Sequence, residues 1–439
     1  MVQRANQGLP LTDEELTNVV HSLQNIAPYD SHVSWDDIRQ LLLEVAHLSH
    51  KDWTVTSANA RKLSKHFLAW HSQQEEERPM GEGMTTISRT GAGEAEGSLL
   101  SRHARQMYER IITEGNWDGA ANWAAQALDQ PGYHPWAVLV TGVNGIRKTT
   151  SMYQPWFPQV LSEALMVPTG KQPITDILWL PCGSNSFFRQ LDHMIATLCN
   201  EDFTLLYSLT AQLMEAEGMA RTSLDPPPKS IVQVYSDYKA AIFSRYRTLS
   251  ELLGAILLQQ AQRVGSNCMM ETSGKDVAMF HYVDHFFSDH HQDRVDDKSS
   301  SSSSVAGGGG GVGAPRPVYH KLALHFTIND LSLAQESVDR RMITEIQNGI
   351  RALERQDIFD IIQANAGGPY GSEVLPGVQQ ASEHVWESEV LSGNVGQDWY
   401  KATIAIEAHP TLPWTACAVR PDGSLGTKFT FLYERCKNC

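Results

Sequence analysis

Eight consecutive residues carry the side chains and glycines that phosphate binding requires. They follow an apolar run, WAVLVT, at 136–141 and precede a segment with helical patterning. In such a context backbone N–H groups can wrap an anion, a lysine can reach the β and γ phosphates, and a hydroxyl can ligate magnesium. Lys148 and Thr149 or Thr150 fit the last two roles. The segment reads Gly142, Val143, Asn144, Gly145, Ile146, Arg147, Lys148 and Thr149.

One position departs from the strict pattern of a P-loop. That pattern has glycine immediately before the lysine, and here the residue is Arg147. Its side chain either points away from the nucleotide, disturbs the loop, or adds positive charge to phosphate binding. We expect nucleotide binding, and the alternative is a glycine loop with a structural role only.

The surrounding chain alternates strand-like and helix-like segments. Apolar runs of strand length occur at 136–141, 176–181, 267–271 and 321–328, and helical patterns lie between and after them, including a long one at about 236–263. A second helical pattern runs from Ser332 to about Ile362. This alternation predicts an α/β fold with a doubly wound parallel sheet.

The order of these segments resembles that of the zeta-toxin-like P-loop kinases, over about residues 131–355. Phe188 and Arg189 match an "FR" element of that family. In the family an Asp that ends the second strand, a few residues before the Arg, acts as base; here Asn185 or Ser186 stands there, and Asp192 is the nearest acid. The resemblance implies that Ser186 and Arg189 contact substrate, with Asp192 or Glu271 as base. A GTPase of the signal-recognition-particle type is disfavoured, because its other motifs are missing.

Two further segments fit the same resemblance. Glu271 ends the apolar run at 267–271, where open α/β sheets bind ligands, and Ser273 and Lys275 follow it. The resemblance implies that this carboxylate binds substrate or magnesium-bound water; the alternative is a paired carboxylate at a strand end. Arg340 and Arg341 lie on the helix after the fourth run, and Arg340 is the favoured contact to the transferring phosphate. A solvated basic face is the alternative there.

The resemblance implies ATP and Mg²⁺ as cofactors, and transfer of the γ-phosphoryl group to a hydroxyl. A competing hypothesis is a nucleotide-binding regulator or scaffold that has lost its catalytic carboxylate. In that hypothesis a protein partner binds the N-terminal helices or a C-terminal β unit.

Composition shifts predict the domain organisation. Residues 1–72 show helical patterning, and 73–100 are polar and glycine-rich, as in a flexible linker. The α/β domain is assigned to 101–355, with a serine- and glycine-rich disordered insertion at 296–315. Residues 356–439 form a C-terminal α+β extension, including an antiparallel β unit at about 398–434.

Charge and cysteine content narrow the function classes. The formal net charge of −15 disfavours nucleic acid as a partner, and no apolar window is long enough to span a membrane. We therefore expect a soluble, cytoplasmic protein with reduced thiols. A metal or redox role for Cys436 and Cys439, or for His281 and His285, is disfavoured because neither pair has further ligands at fixed spacing.

Overall fold

The computed structural model describes residues 110–432, apart from 112, 175, 221–224, 288–316, 356–357, 366 and 369–370. The predicted N-terminal helices (1–72), the linker (73–100), the insertion at 296–315, and Cys436 and Cys439 lie outside the described residues. No helix in the described part is both long enough and apolar enough to cross a membrane.

A seven-stranded mixed sheet forms the centre of the molecule, in the order β2-β3-β1-β4-β5-β6-β7. The first five strands in this order are parallel, and β6 and β7 are antiparallel. The predicted α/β class with a mostly parallel sheet is therefore confirmed. The strands are β1 (Trp136–Thr141), β2 (Ser186–Arg189), β3 (Asn267–Glu271), β4 (His320–Ile328), β5 (Tyr400–Glu407), β6 (Thr415–Val419) and β7 (Phe429–Thr430).

Helices cover both faces of this sheet. The pleat of β1 sends Ala137 and Leu139 into one apolar cluster and Val138 and Val140 into another, so the strand is buried on both sides. The α-helices are α1 (Trp117–Ala127), α2 (Lys148–Met152), α3 (Phe157–Ala164), α4 (Leu191–Leu198), α5 (Asn200–Ala216), α6 (Lys229–Val264), α7 (Ala278–Phe286), α8 (Leu331–Arg355), α9 (Ile358–Ala364) and α10 (Leu375–Val385).

A third apolar cluster contains no strand residues. It is built where α5, α6, α8 and α9 pack on one another, with Phe203, Tyr207 and Ile346 at its centre. The cluster also includes Ile195 and Ala196 of α4, and it takes in only the second half of α8, from Met342 to Ala352.

The predicted strand at 176–181 is wrong. Residues Ile177–Trp179 form a single 3-10 turn, in which Asp176 accepts a hydrogen bond from the backbone of Leu178. Leu178 is 68% exposed, so the apolar run does not mark a buried strand. The second strand begins only at Ser186, and its carboxyl end is therefore Arg189.

The C-terminal strands are not a separate antiparallel unit. β5 pairs with β4 in parallel, in a register that sets Leu324 opposite Ala402, and only β6 and β7 are antiparallel. Alternating burial along β5 matches the sequence pattern. Alternation shows that one face is more buried than the other, but it does not distinguish parallel from antiparallel pairing.

β1 lies at the point where the strand order reverses direction. Its neighbours are β3 on one side and β4 on the other, so the connections leaving β1 and β3 run to opposite sides of the sheet. Open α/β sheets bind ligands in the crevice outside the carboxyl ends of strands at such a point. The loop 142–147 lies there.

The helix after this loop is short because proline interrupts it. Pro155 lies between α2, which has five residues, and α3, which has Pro158 in its first turn. Proline has no N–H to donate and clashes with the preceding turn, so it ends a helix or starts one. The segment with helical patterning after the loop is therefore two short helices.

Candidate functional site

The loop between β1 and α2 has three residues in left-handed backbone conformations. Gly142, Gly145 and Arg147 have φ of 122°, 85° and 63°. A Cβ on Gly142 would lie 2.5 Å from the carbonyl oxygen of Phe326, and one on Gly145 would lie 2.7 Å from that of Ala334. The loop therefore packs against β4 and α8 more closely than a side chain allows.

Arg147 holds the conformation for which a P-loop normally uses glycine. Its φ and ψ are 63° and 28°. Among the described residues only one other non-glycine, Asn116, has a positive φ. The left-handed region costs a non-glycine residue about 1–2 kcal/mol. Interactions of the Arg147 side chain must therefore offset a cost of that order.

The Arg147 side chain points away from the loop interior. Its guanidinium carbon lies 4.8 Å from the ring centroid of Trp414 and 5.3 Å from that of Phe431. A cation–π contact contributes about 0.5–2 kcal/mol, depending on exposure, which matches the backbone cost. Of the three possibilities for this residue, the structure places the side chain away from the loop without disturbing the loop.

Lys148 is buried beneath the loop, with only 4% of its surface exposed. Its Nζ donates hydrogen bonds to the carbonyl oxygens of Gly142 at 2.7 Å and Val143 at 2.8 Å. The same ammonium lies 3.1 Å from Oε1 of Glu271, at the carboxyl end of β3. A buried charge is costly unless it is paired, and these three partners supply that pairing.

Glu271 also contacts Thr149. The Thr149 hydroxyl donates to Oε2 of Glu271 at 3.1 Å, so one carboxylate bridges the lysine and the threonine. Register explains this meeting, because Glu271 pairs with Val140, two residues before the loop begins. The backbone after β3 continues along the loop, with Gly142 N donating to the carbonyl of Ser273 at 3.2 Å.

A second group of side chains lies on the Asn144 side of the loop. Asp192 lies in the first turn of α4, three residues past the end of β2. Asp192 and Asn144 both lie next to Gly368. A Cβ added to Gly368 would clash with Asp192 Oδ2 and would lie 3.4 Å from Asn144 Nδ2. A Cβ on the adjacent Gly367 would lie 2.3 Å from the guanidinium carbon of Arg341. Asp192 and Arg341 thus flank one backbone segment beside the loop.

Three other predicted residues lie elsewhere. Arg340 is exposed on α8, so the preference for it over Arg341 finds no support in the geometry. Arg189 is buried, donates to the hydroxyl of Tyr282 at 2.9 Å, and packs over that ring. Ser186 begins β2, at the edge opposite the loop, and its hydroxyl donates to Asn185.

The remaining predicted residues lie close to the loop in the chain. Ser273 is half-buried and contacts the loop through its backbone carbonyl, whereas Lys275 is exposed. Ile146 is buried in the apolar cluster beneath the loop, and Thr150 lies in the first turn of α2. Ile146 and the Ser273 carbonyl therefore contribute packing and a backbone hydrogen bond to the loop.

His325 on β4 was not anticipated from the sequence. Its Nδ1 lies 2.9 Å from the hydroxyl of Thr141, at the end of β1, and its ring stacks on Trp386. Burial, with Lys148 nearby as a second cause, lowers the pKa of His325 to about 3, so the ring is neutral. A histidine inside the apolar run KLALHFTI was the available signal.

A buried ion pair lies close to Asp192 and Arg341. Lys239 Nζ lies 2.7 Å and 2.8 Å from the two carboxylate oxygens of Glu345, and both side chains are 1% exposed. Tyr235 donates to the same carboxylate, and Tyr207 links Tyr235 to Asn365, three residues before Gly368. The charged groups of Arg341 and Asp192 lie close enough to influence the pKa of Lys239.

The donors and ligands at the loop suit a nucleotide phosphate with Mg²⁺. The backbone N–H groups of Val143, Asn144 and Gly145 donate to no acceptor among the described residues. The Thr149 hydroxyl and Glu271 carboxylate are the oxygen ligands that Mg²⁺ accepts alongside its own waters. No cluster of three or more His, Cys, Asp or Glu that could hold a metal by itself occurs in the described part of the chain.

No protein-family model matches this sequence, and neither a curated protein nor a solved structure is significantly similar to it.

Proposed function

We propose that this protein is an ATP-dependent kinase that transfers the γ-phosphoryl group to a hydroxyl, in the manner of the zeta-toxin-like P-loop kinases. The observation that carries the proposal is the contact of one strand-end carboxylate, Glu271, with both Lys148 and Thr149 at the carboxyl ends of two parallel strands. Phosphoryl transfer needs a cation for the phosphates, ligands for magnesium and a fixed geometry, and these three residues supply all of them.

Each group has a distinct role in this proposal. With nucleotide bound, the Lys148 ammonium would pair with the phosphates, and Thr149 and Glu271 would hold Mg²⁺. When bound, ATP would supply the γ-phosphoryl group, and its Mg²⁺ would neutralise part of the phosphate charge. Most of the rate in such reactions comes from positioning and charge stabilisation, and Lys148, Thr149 and Glu271, already in mutual contact, suit that task.

Asp192 and Arg341 act on the hydroxyl that accepts the phosphoryl group and on the group being transferred. Asp192 accepts the proton of the acceptor hydroxyl, and Arg341 stabilises the charge that develops on the transferring group. The position of β2 supports this role for Asp192. Because the strand ends at Arg189 rather than at Pro181, Asp192 lies three residues after the end of the strand instead of eleven.

One observation favours the second candidate, a nucleotide-binding regulator that acts through protein partners. β2 itself ends in Arg189, whose side chain is buried against Tyr282, so no acid stands at the end of this strand. If Asp192 does not serve as base, nucleotide binding would persist without phosphoryl transfer.

The deciding experiment measures binding and turnover separately in the full-length chain. ATP binding with Mg²⁺ is followed by calorimetry, and transfer from radiolabelled ATP is screened against sugars, nucleosides and amino alcohols. Lys148→Ala should weaken ATP binding by at least about tenfold and abolish transfer. Lys229→Ala is the matched control, since that lysine is exposed at the start of α6, outside the loop and the C-terminal strands.

The three outcomes have different meanings. Transfer to an acceptor that is lost in Lys148→Ala supports the kinase. Binding of ATP without transfer to any acceptor supports the regulator. A folded native protein that binds neither ATP nor GTP contradicts both.

A further inference from the structure

Arg147 and the C-terminal hairpin meet at the back of the loop. The hairpin comprises β6, β7 and the turn between them, together with the flanking residues Trp414 and Phe431, and Phe431 N donates to the carbonyl of Trp414 at 3.4 Å. The Arg147 guanidinium lies over both rings. We call Trp414 and Phe431 the aromatic clamp.

Two hydrogen bonds hold the clamp against the segment that follows the loop. Leu432 N donates to Oε1 of Gln154 at 3.0 Å, and the indole of Trp156 donates to the carbonyl of Thr430 at 3.0 Å. Trp156 also packs edge-on to Phe431 and stacks on Phe429. The clamp is therefore fixed relative to α2 and α3 independently of Arg147.

The backbone of Arg147 connects the clamp to Lys148. The carbonyl of Arg147 accepts hydrogen bonds from both the backbone and the hydroxyl of Ser151, so the residue begins α2. Its left-handed conformation sets the direction in which the chain enters that helix. Lys148 is the next residue, and a change in φ at Arg147 would move its ammonium away from the carbonyls of Gly142 and Val143.

We infer that the aromatic clamp is a positioning device for the phosphate-binding loop: it holds Arg147 in the conformation that glycine would adopt freely, and so makes nucleotide affinity depend on the C-terminal hairpin. The inference rests on the proposed nucleotide binding. It assigns Trp414 and Phe431 a role in the site although neither reaches the loop interior. A glycine at 147 would remove that dependence, because glycine populates positive φ without assistance.

The test is a double-mutant cycle on the full-length chain, with MgATP as the probe. In the native background Trp414→Leu should weaken ATP binding about tenfold. In the Arg147→Gly background the same substitution should change the affinity by less than about twofold. The expected coupling is thus about five- to tenfold, or about 1.0–1.4 kcal/mol.

Two control variants separate the clamp from general effects on the hairpin. Trp414→Phe keeps an aromatic face but loses the indole N–H, which donates to the carbonyl of His409, and it should retain most of the affinity. Leu425→Ala removes an exposed apolar side chain from the turn of the same hairpin, and it should leave affinity within about twofold. Equal losses for Trp414→Leu in the two backgrounds, or no loss in the native background, would overturn the inference.

Urea unfolding of the same four proteins gives a readout that needs no nucleotide. Trp414→Leu should lower the unfolding midpoint more with Arg at 147 than with Gly. If the native protein binds no ATP, the proposed function fails, and the unfolding cycle alone decides whether the clamp holds the loop. If ATP binds but neither cycle shows coupling, only the clamp inference fails.

Discussion

Glu271 contacts Lys148 across the gap between two parallel strands, with 3.1 Å between carboxylate oxygen and ammonium nitrogen. The lysine is almost fully buried, whereas the glutamate side chain is 26% exposed. The carboxylate therefore has one oxygen at the buried cation and one at the Thr149 hydroxyl, and it reaches solvent at the mouth of the crevice. A ligand that draws Lys148 away would leave this carboxylate free to bind a metal ion.

Glu271→Gln should impair turnover more than ATP binding. The amide keeps the shape but loses the charge that pairs with Lys148 and attracts Mg²⁺, so we expect turnover to fall at least about 100-fold. Steady-state kinetics across a Mg²⁺ titration would measure this, and the Mg²⁺ concentration for half-maximal rate should rise. Glu407→Gln is the control, because Glu407 lies at the end of β5 and pairs with Lys428 instead of Lys148. Similar kinetics for Glu271→Gln and the native protein would remove Glu271 from the proposed site.

The two adjacent arginines of α8 should differ in effect. Arg341 lies against Gly367, beside the loop, whereas Arg340 is exposed. Arg341→Ala should lower the turnover number about 100-fold, as expected for loss of one preorganised cation, and Arg340→Ala should stay within about twofold. Single-turnover measurements separate the chemical step from binding. The reverse ranking would restore Arg340 as the contact to the transferring group.

Acid should destabilise the protein through His325. Its pKa is about 3 in the folded state, against an ordinary value of 6.5, so between these values the unfolded chain binds more protons. Stability therefore falls as pH drops below 6.5, and His325 alone should account for a loss of about 2 kcal/mol between pH 7 and pH 5.

Urea unfolding of native protein and His325→Gln at the two pH values checks this. The difference between pH 7 and pH 5 should be smaller by about 2 kcal/mol in the variant. His281→Gln, at an exposed histidine, should leave the difference unchanged. His320 also has a pKa lowered to about 4 by burial, so a residual pH dependence is expected in His325→Gln.

Removing one charge of the Lys239–Glu345 pair should lower the free energy of unfolding more than replacing both residues with apolar ones. Glu345→Gln leaves an ammonium fully buried without its counter-charge, and such changes cost about 3–5 kcal/mol. Burial already lowers the pKa of Lys239. The double variant Lys239→Met with Glu345→Leu removes both charges and should recover most of that loss. Unfolding measurements on both variants test this; equal instability would mean that the pair contributes through shape alone.

Sequence patterns located the strands that carry the loop. β1, β3 and β4 are continuous apolar runs because both of their faces are covered, and Glu271 stands out as a charge at the end of one run. Glycines and a lysine directly after such a strand are typical of a phosphate-binding loop. The position of these residues could therefore be predicted from local patterning.

The directions of the side chains and the pairing of strands far apart in the chain could not be predicted from local patterning. Nothing in the sequence near Arg147 indicates that Trp414 and Phe431 lie behind it, because that contact depends on β5 joining β4. The run DILWLP has the composition of a strand, yet a hydrogen bond from Leu178 to Asp176 closes a turn instead. The four-residue strand β2 has two polar ends and no apolar pattern long enough to recognise.

The pairing of β4 with β5 delays completion of the sheet during synthesis. About 70 residues separate the two strands, and a ribosome adds roughly 5–20 residues per second, so the outer edge of β4 stays unpaired for roughly 4–14 s. An apolar strand with a free edge is a template for pairing with another chain. β5 covers that edge first, and Trp414 and Phe431, which follow β5 in the chain, then come to lie against Arg147.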